Sequence, residues 1–175
     1  DISINKGAGV FVCASCGIAQ KFVDTVEKTK KTSPVAAFAI QGVCPVCEKV
    51  GIPYGGRFFI PAMNVEIFDS ANVEWESRKD LDLHDYWPKS PIPFGHMTHQ
   101  RQPLPQHGYS HWWIMFNPRQ LLVHALLLRA ITRTGNECHK WATREFVLGV
   151  FQQYLRNQNM FCFWDREYDK LVPHM

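Results

Sequence analysis

No uninterrupted apolar run in this chain approaches the roughly 18 residues that a membrane-crossing helix needs, so a helical membrane span is excluded. Charge of one sign is scarce as well. Nineteen Lys and Arg stand against sixteen Asp and Glu, a net charge of +3 that permits contact with nucleic acid without demanding it. The signatures of common active sites are missing. There is no Gly-x-Gly-x-x-Gly and no phosphate loop, no Gly-x-Ser-x-Gly, and no His-Glu-x-x-His. The His-x-Glu with Pro-Cys-x-x-Cys pattern of a zinc deaminase is absent too. What is present is ordinary globular composition: 46% hydrophobic and 20% charged residues exclude a disordered tail, and 175 residues make one domain or two small ones. Six Trp and twelve Phe point to a heavily packed core or to buried interfaces.

The strongest pattern lies in the first fifty residues. Cys13-Ala-Ser-Cys16 and Cys44-Pro-Val-Cys47 are two Cys-x2-Cys knuckles separated by 27 residues. Four thiolates suffice to close a tetrahedral zinc site with no position left for water or substrate. Gly17 follows the first pair, where a knuckle needs positive φ to turn amides toward sulfur. Pro45 stiffens the second turn at the cost of one amide donor. A thioredoxin-like redox site would use one such pair in a βαβ context, and disulfides would need an oxidising compartment for which no signal peptide argues. The expectation is a structural zinc ribbon with Cys13, Cys16, Cys44 and Cys47 as ligands and Zn2+ as cofactor. The spacing between knuckles exceeds the usual 15–20 residues, so an insertion must separate them. Cys138 and Cys162, outside the knuckles, suit free thiols in a reducing cytoplasm.

The pattern predicts an α+β chain in three parts. Residues 1–68 form the zinc ribbon, with strands over 8–13 and 35–43 and a further hairpin from 57–60 and 65–68. Between them, Phe22 to Lys31 alternates apolar and charged residues and ends in Lys28, Lys30 and Lys31. With Arg101, these are candidate phosphate contacts, although a solvated loop or helix face explains the lysines better. Residues 69–116 form a long irregular connection. Six of the eleven prolines fall between Trp87 and Arg119, a density that forbids regular helix. Trp87, Phe94, Trp112, Trp113 and Phe116 argue that this loop is ordered and wraps over something. His96/His99 and His107/His111 suggest a second metal less well than they suggest partners for irregular backbone, since no carboxylate or cysteine is interleaved.

Residues 117–175 are predicted to be helical. Asn117 caps a helix over 119–133 with Pro118 in its first turn and a stop near Gly135-Asn136. Its apolar residues surround the wheel, which predicts burial on nearly all sides, partly against portions of a larger protein. A second helix over 143–156 carries a narrow polar strip of Glu145, Gly149, Gln152, Gln153 and Arg156, best read as a solvated face. Met160 to Trp164 suits one short strand or a buried turn. The opening at Asp1 and the end at Met175 are those expected of a piece of a longer chain.

The order of segments resembles the adenine-specific DNA methylases that contain a zinc ribbon. The likeness rests on both knuckles, then on Trp87-Pro-Lys-Ser-Pro-Ile-Pro-Phe-Gly-His96, Met97-Thr-His99 and Leu104-Pro-Gln-His-Gly-Tyr109. It continues through Met115-Phe-Asn-Pro-Arg-Gln-Leu-Leu122, Phe151 to Met160, and Lys170-Leu-Val-Pro-His174. In such methylases a Rossmann-like α/β domain binds S-adenosylmethionine and the ribbon interrupts it. The resemblance implies a glycine-rich cofactor loop before Asp1 and an Asp/Asn-Pro-Pro-aromatic catalytic motif after Met175. Asn117-Pro118-Arg119-Gln120 lacks the second proline and the aromatic, so no catalytic or cofactor residue carries over. The implied parent transfers a methyl group to adenine N6 of DNA, in a restriction-modification or phage-defence setting, with this segment inactive alone. Its expected partners are DNA and the remainder of the parent chain, with no membrane. The alternative is a non-enzymatic zinc-ribbon module that binds nucleic acid or a protein.

Overall fold

A computed structural model of the protein describes residues 3–5, 9–32, 35, 37, 39–51, 55–62, 66–101, 103–137, 141–165 and 170–173. The architecture is mixed α+β, with small antiparallel sheets and several helices. The chain divides into two compact units, one of residues 1–33 and 71–175 and the other of residues 34–70.

The first sheet joins β1 (Ser3–Asn5), β2 (Val10–Val12) and β3 (Ala19–Lys21) in that order, with Val12 opposite both Ser3 and Ala19. Helix α1 (Phe22–Thr29) follows directly and buries Val26. The predicted strand over 35–43 is shorter than its apolar run. β4 (Ala39–Val43) pairs with β5 (Arg57–Pro61), with Val43 opposite Arg57, and the five-residue helix α2 (Pro45–Lys49) lies between them.

The hairpin expected from 57–60 and 65–68 does not form. β5 pairs with β4 instead, and residues 66–78 make helix α3 (Glu66–Arg78), Val65 lying outside the described residues. The same helix corrects the expectation that irregular structure starts at residue 69. No proline stands between Pro61 and Pro88, so nothing interrupts the backbone ladder there. Glu66 and Asp69 favour the first turn and Arg78 the last, as the helix dipole requires. Trp75 then anchors the helix in the core at 4% exposure.

Helix α4 (Pro118–Glu137) begins where the sequence predicts. Asn117 Oδ1 accepts from the Gln120 amide at 2.9 Å, and Gln120 Oε1 accepts from the Asn117 amide at 3.0 Å, a reciprocal cap. It runs past Gly135 and Asn136 rather than stopping there, because one glycine costs a helix only about 1 kcal/mol. α4 packs against α5 (Trp141–Arg156), and β6 (Cys162–Asp165) pairs with β7 (Lys170–Pro173). Burial of α4 is one-sided, contrary to expectation. Leu121, Leu122, His124 and Ala125 are buried, while Val123 and Leu127 are exposed. Phe146 and Val150 of α5 are exposed too, although Phe151 is buried.

The core holds Trp75, Leu83, Leu121, Leu122 and Ala125, with Tyr86, Trp87, Phe116 and Leu126 packed around them. The proline-rich segment is ordered by this core. Trp87 meets Trp75 and Trp113 edge to face, and its indole N–H donates to the Lys79 carbonyl at 3.0 Å. Ile92 is buried, and its amide donates to the Ser110 carbonyl at 2.9 Å. The prolines do leave room for short helical turns: His96–Arg101, between Pro93 and Pro103, is π-helical, and Leu104–His107 and Trp112–Met115 are 3-10 turns. Among the described residues no helix is long and apolar enough to cross a membrane.

Beside the core, Arg78 bridges Glu74 and Asp82, each at 2.7 Å, and Arg129 of α4 also bonds Asp82. The paired Arg78 guanidinium, helped by Arg129, lowers the Asp82 carboxyl to about 2. A depressed carboxylate stabilises the fold above its unfolded pKa, near 4, and that contribution is lost as pH falls toward 2. Wild-type protein should therefore lose urea midpoint between pH 4 and 2. Asp82→Asn should lower the midpoint at neutral pH and flatten that acid limb. Leu83, fully buried, should cost about 2–5 kcal/mol when changed to Ala, read from the same urea titrations.

Candidate metal centre

Each cysteine knuckle is built by its flanking strands. β2 delivers Cys13 to the turn, where the Cys13 amide donates to the Ile18 carbonyl at 3.0 Å and Gly17 N–H returns to the Cys13 carbonyl at 2.9 Å. Gly17 closes that turn at φ 70°, as its position after the second cysteine predicts. Backbone amides of Cys16 and Ser15 point at the Cys13 sulfur. With the Cys16 side chain they hold the Cys13 thiol below its ordinary range.

The second knuckle repeats this arrangement. β4 delivers Cys44, whose amide donates to the Gly56 carbonyl at 2.8 Å and whose carbonyl accepts from Glu48 at 3.0 Å to begin α2. The Cys47 amide, the Cys47 side chain and the Val46 amide lower the Cys44 thiol. Pro45, which has no N–H, occupies the first helical position, so its missing donor is not one the sulfur needs. The Cys47 thiol is raised, chiefly because it donates to Cys44 and also because burial and the Cys44 charge oppose its ionisation. Cys44 is therefore the first of the pair to ionise, and a divalent cation would supply the charge that lets the second sulfur follow.

Cys13 and Cys16 belong to the unit of residues 1–33 and 71–175, and Cys44 and Cys47 to the unit of residues 34–70. Among the described residues, neither unit by itself gathers three or more His, Cys, Asp or Glu side chains into a cluster that would hold a metal. The donor chemistry fits zinc at each knuckle: two sulfurs, amides aimed at the first of them, and a backbone turn of the form that holds metal thiolates. None of the five described cysteines is in a disulfide. Cys162 donates weakly to the Arg156 carbonyl, and Cys138 lies outside the described residues.

The candidate phosphate contacts are exposed. Lys28 lies in the last turn of α1, Lys30 caps the helix in a left-handed conformation, and Lys31 follows. Lys30 also borders a cavity of about 580 Å³ with Val23, Val26 and Glu27 on one side and Pro105 and Gln106 on the other. The fold thus brings the basic end of α1 to the proline-rich segment, and Phe22 stacks on His107 at 5.7 Å. Arg101 is exposed at the end of the π-helical turn, which packs against the turn at Leu104–His107.

Three of the four paired histidines bond side chains rather than irregular backbone, and the fourth, His107, stacks on Phe22. His96 Nδ1 meets Gln100 Oε1 at 2.7 Å, His99 Nδ1 meets Thr98 Oγ1 at 2.9 Å, and His111 Nδ1 meets Ser110 Oγ at 2.9 Å. Two residues of consequence carry almost no signal in the sequence. Gly56 precedes a strand and is marked only by its distance from Cys44. His124 is one polar member of an apolar helix, yet its burial at 6% exposure makes it a different kind of group.

Gly56 gives the knuckle its sharpest test. Its φ is 71°, and a Cβ there would lie 2.5 Å from the Cys44 carbonyl oxygen and 2.7 Å from the Glu48 amide nitrogen. Gly51 has a similar φ of 70° with open space around it. Strain of about 1–3 kcal/mol at a positive φ corresponds to roughly five- to a hundredfold in affinity if it is relieved in the metal-free form. Gly56→Ala should weaken zinc binding by at least about tenfold in competition with a chromophoric chelator, and by more than Gly51→Ala does. No family model, curated protein or solved structure matches this chain.

Proposed function

We propose that this chain is a segment of an S-adenosylmethionine-dependent DNA adenine-N6 methyltransferase. In it the Cys13/Cys16 and Cys44/Cys47 knuckles jointly hold one structural zinc. The observation that carries the reading is the repeated knuckle, in which backbone amides address the first sulfur of each pair. Such amides favour the thiolate over the thiol, and thiolate is the form that binds zinc. The resemblance of the remaining segments to zinc-ribbon methylases supplies the enzymatic context.

The bound zinc would be closed to substrate and would act on folding, contributing on the order of 10 kcal/mol. Methyl transfer belongs to the cofactor loop and the catalytic motif expected elsewhere in the parent chain. Lys28, Lys30, Lys31 and Arg101 would meet phosphates, a role that their exposure supports. The second reading, a non-enzymatic ribbon that binds nucleic acid or protein, draws on the same exposed lysines.

Native mass spectrometry with and without chelator tests the metal, and gel shifts on duplex DNA at two salt concentrations test the DNA interface. One zinc per chain is expected, reduced by Cys44→Ser. DNA binding should weaken with salt. Combining Lys28→Glu, Lys30→Glu and Lys31→Glu should reduce the salt slope by about one for each phosphate that a lysine had neutralised. Two zinc ions per chain, or none, would sink the shared four-thiolate site.

A further inference from the structure

The near-balance of charge in this protein is uneven along the chain. From Asp85 to Glu137 no carboxylate intervenes, and the stretch between them holds Lys89, Arg101, Arg119, Arg129, Arg133 and five of the eight histidines. Arg129 is engaged by Asp82. Within the same compact unit the end of α1 adjoins this stretch. A Cβ on Gly108 would lie 2.6 Å from the Thr32 nitrogen and 2.7 Å from the Lys31 carbonyl carbon, so the chain after Lys30 runs directly over Gly108. Asp24 and Glu27 stand earlier in that helix, and its C-terminal end is basic, with Lys28, Lys30 and Lys31. A positive surface of this kind attracts a polyanion.

In this carboxylate-free stretch, Phe94 is 80% exposed, more than any other large apolar side chain among the described residues, and Met97 is 51% exposed. Yet the turn that carries them is fixed. Buried Ile92 anchors its approach, and the Ile92 amide donates to the Ser110 carbonyl. Thr98 Oγ1 donates to the Pro93 carbonyl at 2.9 Å, and the His99 amide donates to the Gly95 carbonyl at 2.9 Å. The His99 ring lies 4.7 Å from the Phe94 ring, and Arg101 ends the same turn, exposed. An aromatic ring left in water forgoes the stabilisation that burial gives, so a ring fixed there by local bonds is placed for a partner.

We propose that Phe94 and Met97 form an apolar wedge that enters the base stack of duplex DNA, with Arg101 and the lysines at the end of α1 on flanking phosphates. The wedge rests on the DNA-binding reading above and adds to it the residues that deform the duplex. Charge complementarity selects the occupant, since the cations match a phosphate backbone and no acidic side chain of the stretch opposes it. Side chains that unstack base steps are of this kind, single Phe or Met wedges beside Arg or Lys. An anionic membrane would meet the same cations, but interfacial insertion uses a continuous apolar helix face. This turn offers two apolar side chains set among His96, Gln100 and Arg101.

The test is 2-aminopurine placed at each step of a short duplex in turn, because its fluorescence rises when the base is unstacked. Saturating full chain should raise the fluorescence at one or more steps by at least about twofold. Phe94→Ala should still shift the duplex in gels and lose most of that rise at saturation. Phe94→Leu, which keeps an apolar wedge, should restore most of it. Arg101→Glu should instead weaken binding and reduce the salt slope by about one, with the rise at saturation retained. Binding without a rise at any step, or a rise that survives Phe94→Ala, would overturn the wedge and leave the DNA contact standing. Failure to shift any duplex would overturn both. A flat 2-aminopurine signal, with sedimentation on phosphatidylserine vesicles that Phe94→Ala abolishes, would overturn the wedge and assign the turn to a membrane surface.

Discussion

The packing of Trp75 and Leu83 against the buried face of α4 is the contact on which the larger unit depends. Leu83 is wholly buried and Trp75 nearly so, and both rest on Leu121, Leu122 and Ala125. Through Trp87 the same core reaches the proline-rich segment, whose backbone has few regular bonds of its own. Proline removes donors and prevents a continuous ladder, so the order of residues 88–116 comes from side chains inserted into a core built by other parts of the chain. Arg78, Asp82 and Arg129 guard its edge. Their partial exposure limits their energy, but the two-pronged Arg78–Asp82 contact and the reach of Arg129 from α4 fix how the two segments meet.

The same core leaves one side of the helical region uncovered. Val123, Leu127, Phe146 and Val150 remain exposed on α4 and α5. A Leu-rich helix must bury what it can, yet a chain with a small core has only so much surface to offer it. α5 reaches the core through Phe151 and through its C-terminal turn. There the Gln158 carbonyl meets His124, and the Asn159 side chain, itself buried, bonds the Leu155 and Arg156 carbonyls and the Phe161 amide. These bonds fix the end of α5 beside His124.

The cysteine knuckles rest on a different principle. Their strands are short and mostly exposed, so hydrophobic burial contributes little, and local hydrogen bonds define the turns. Amides directed at the sulfurs of Cys13 and Cys44 lower both thiols from their ordinary range. The Cys47 thiol is raised, chiefly because it donates to Cys44, and burial and the Cys44 charge add to that.

Local chemistry was legible in the sequence wherever neighbouring residues decide the outcome. The two knuckles, the Asn117–Gln120 cap, the bounds of α5 to within two residues and the mixed α+β class all follow from spacing, capping and periodicity. Helix α3 was not legible, because the apolar run around Phe68 suits a strand as readily as a helix. Trp75, in the core, and the acidic first turn decide between them. The passage of α4 through Gly135 was likewise hidden, since one glycine weakens a helix without ending it. Only tertiary structure distinguished His124 from the exposed histidines, because what isolates its Nδ1 is the meeting of α4, α5 and Phe116, residues far apart in the chain. Sequence specifies which groups a turn can hold, whereas the desolvation that makes one imidazole unlike another arises only when distant segments exclude water together.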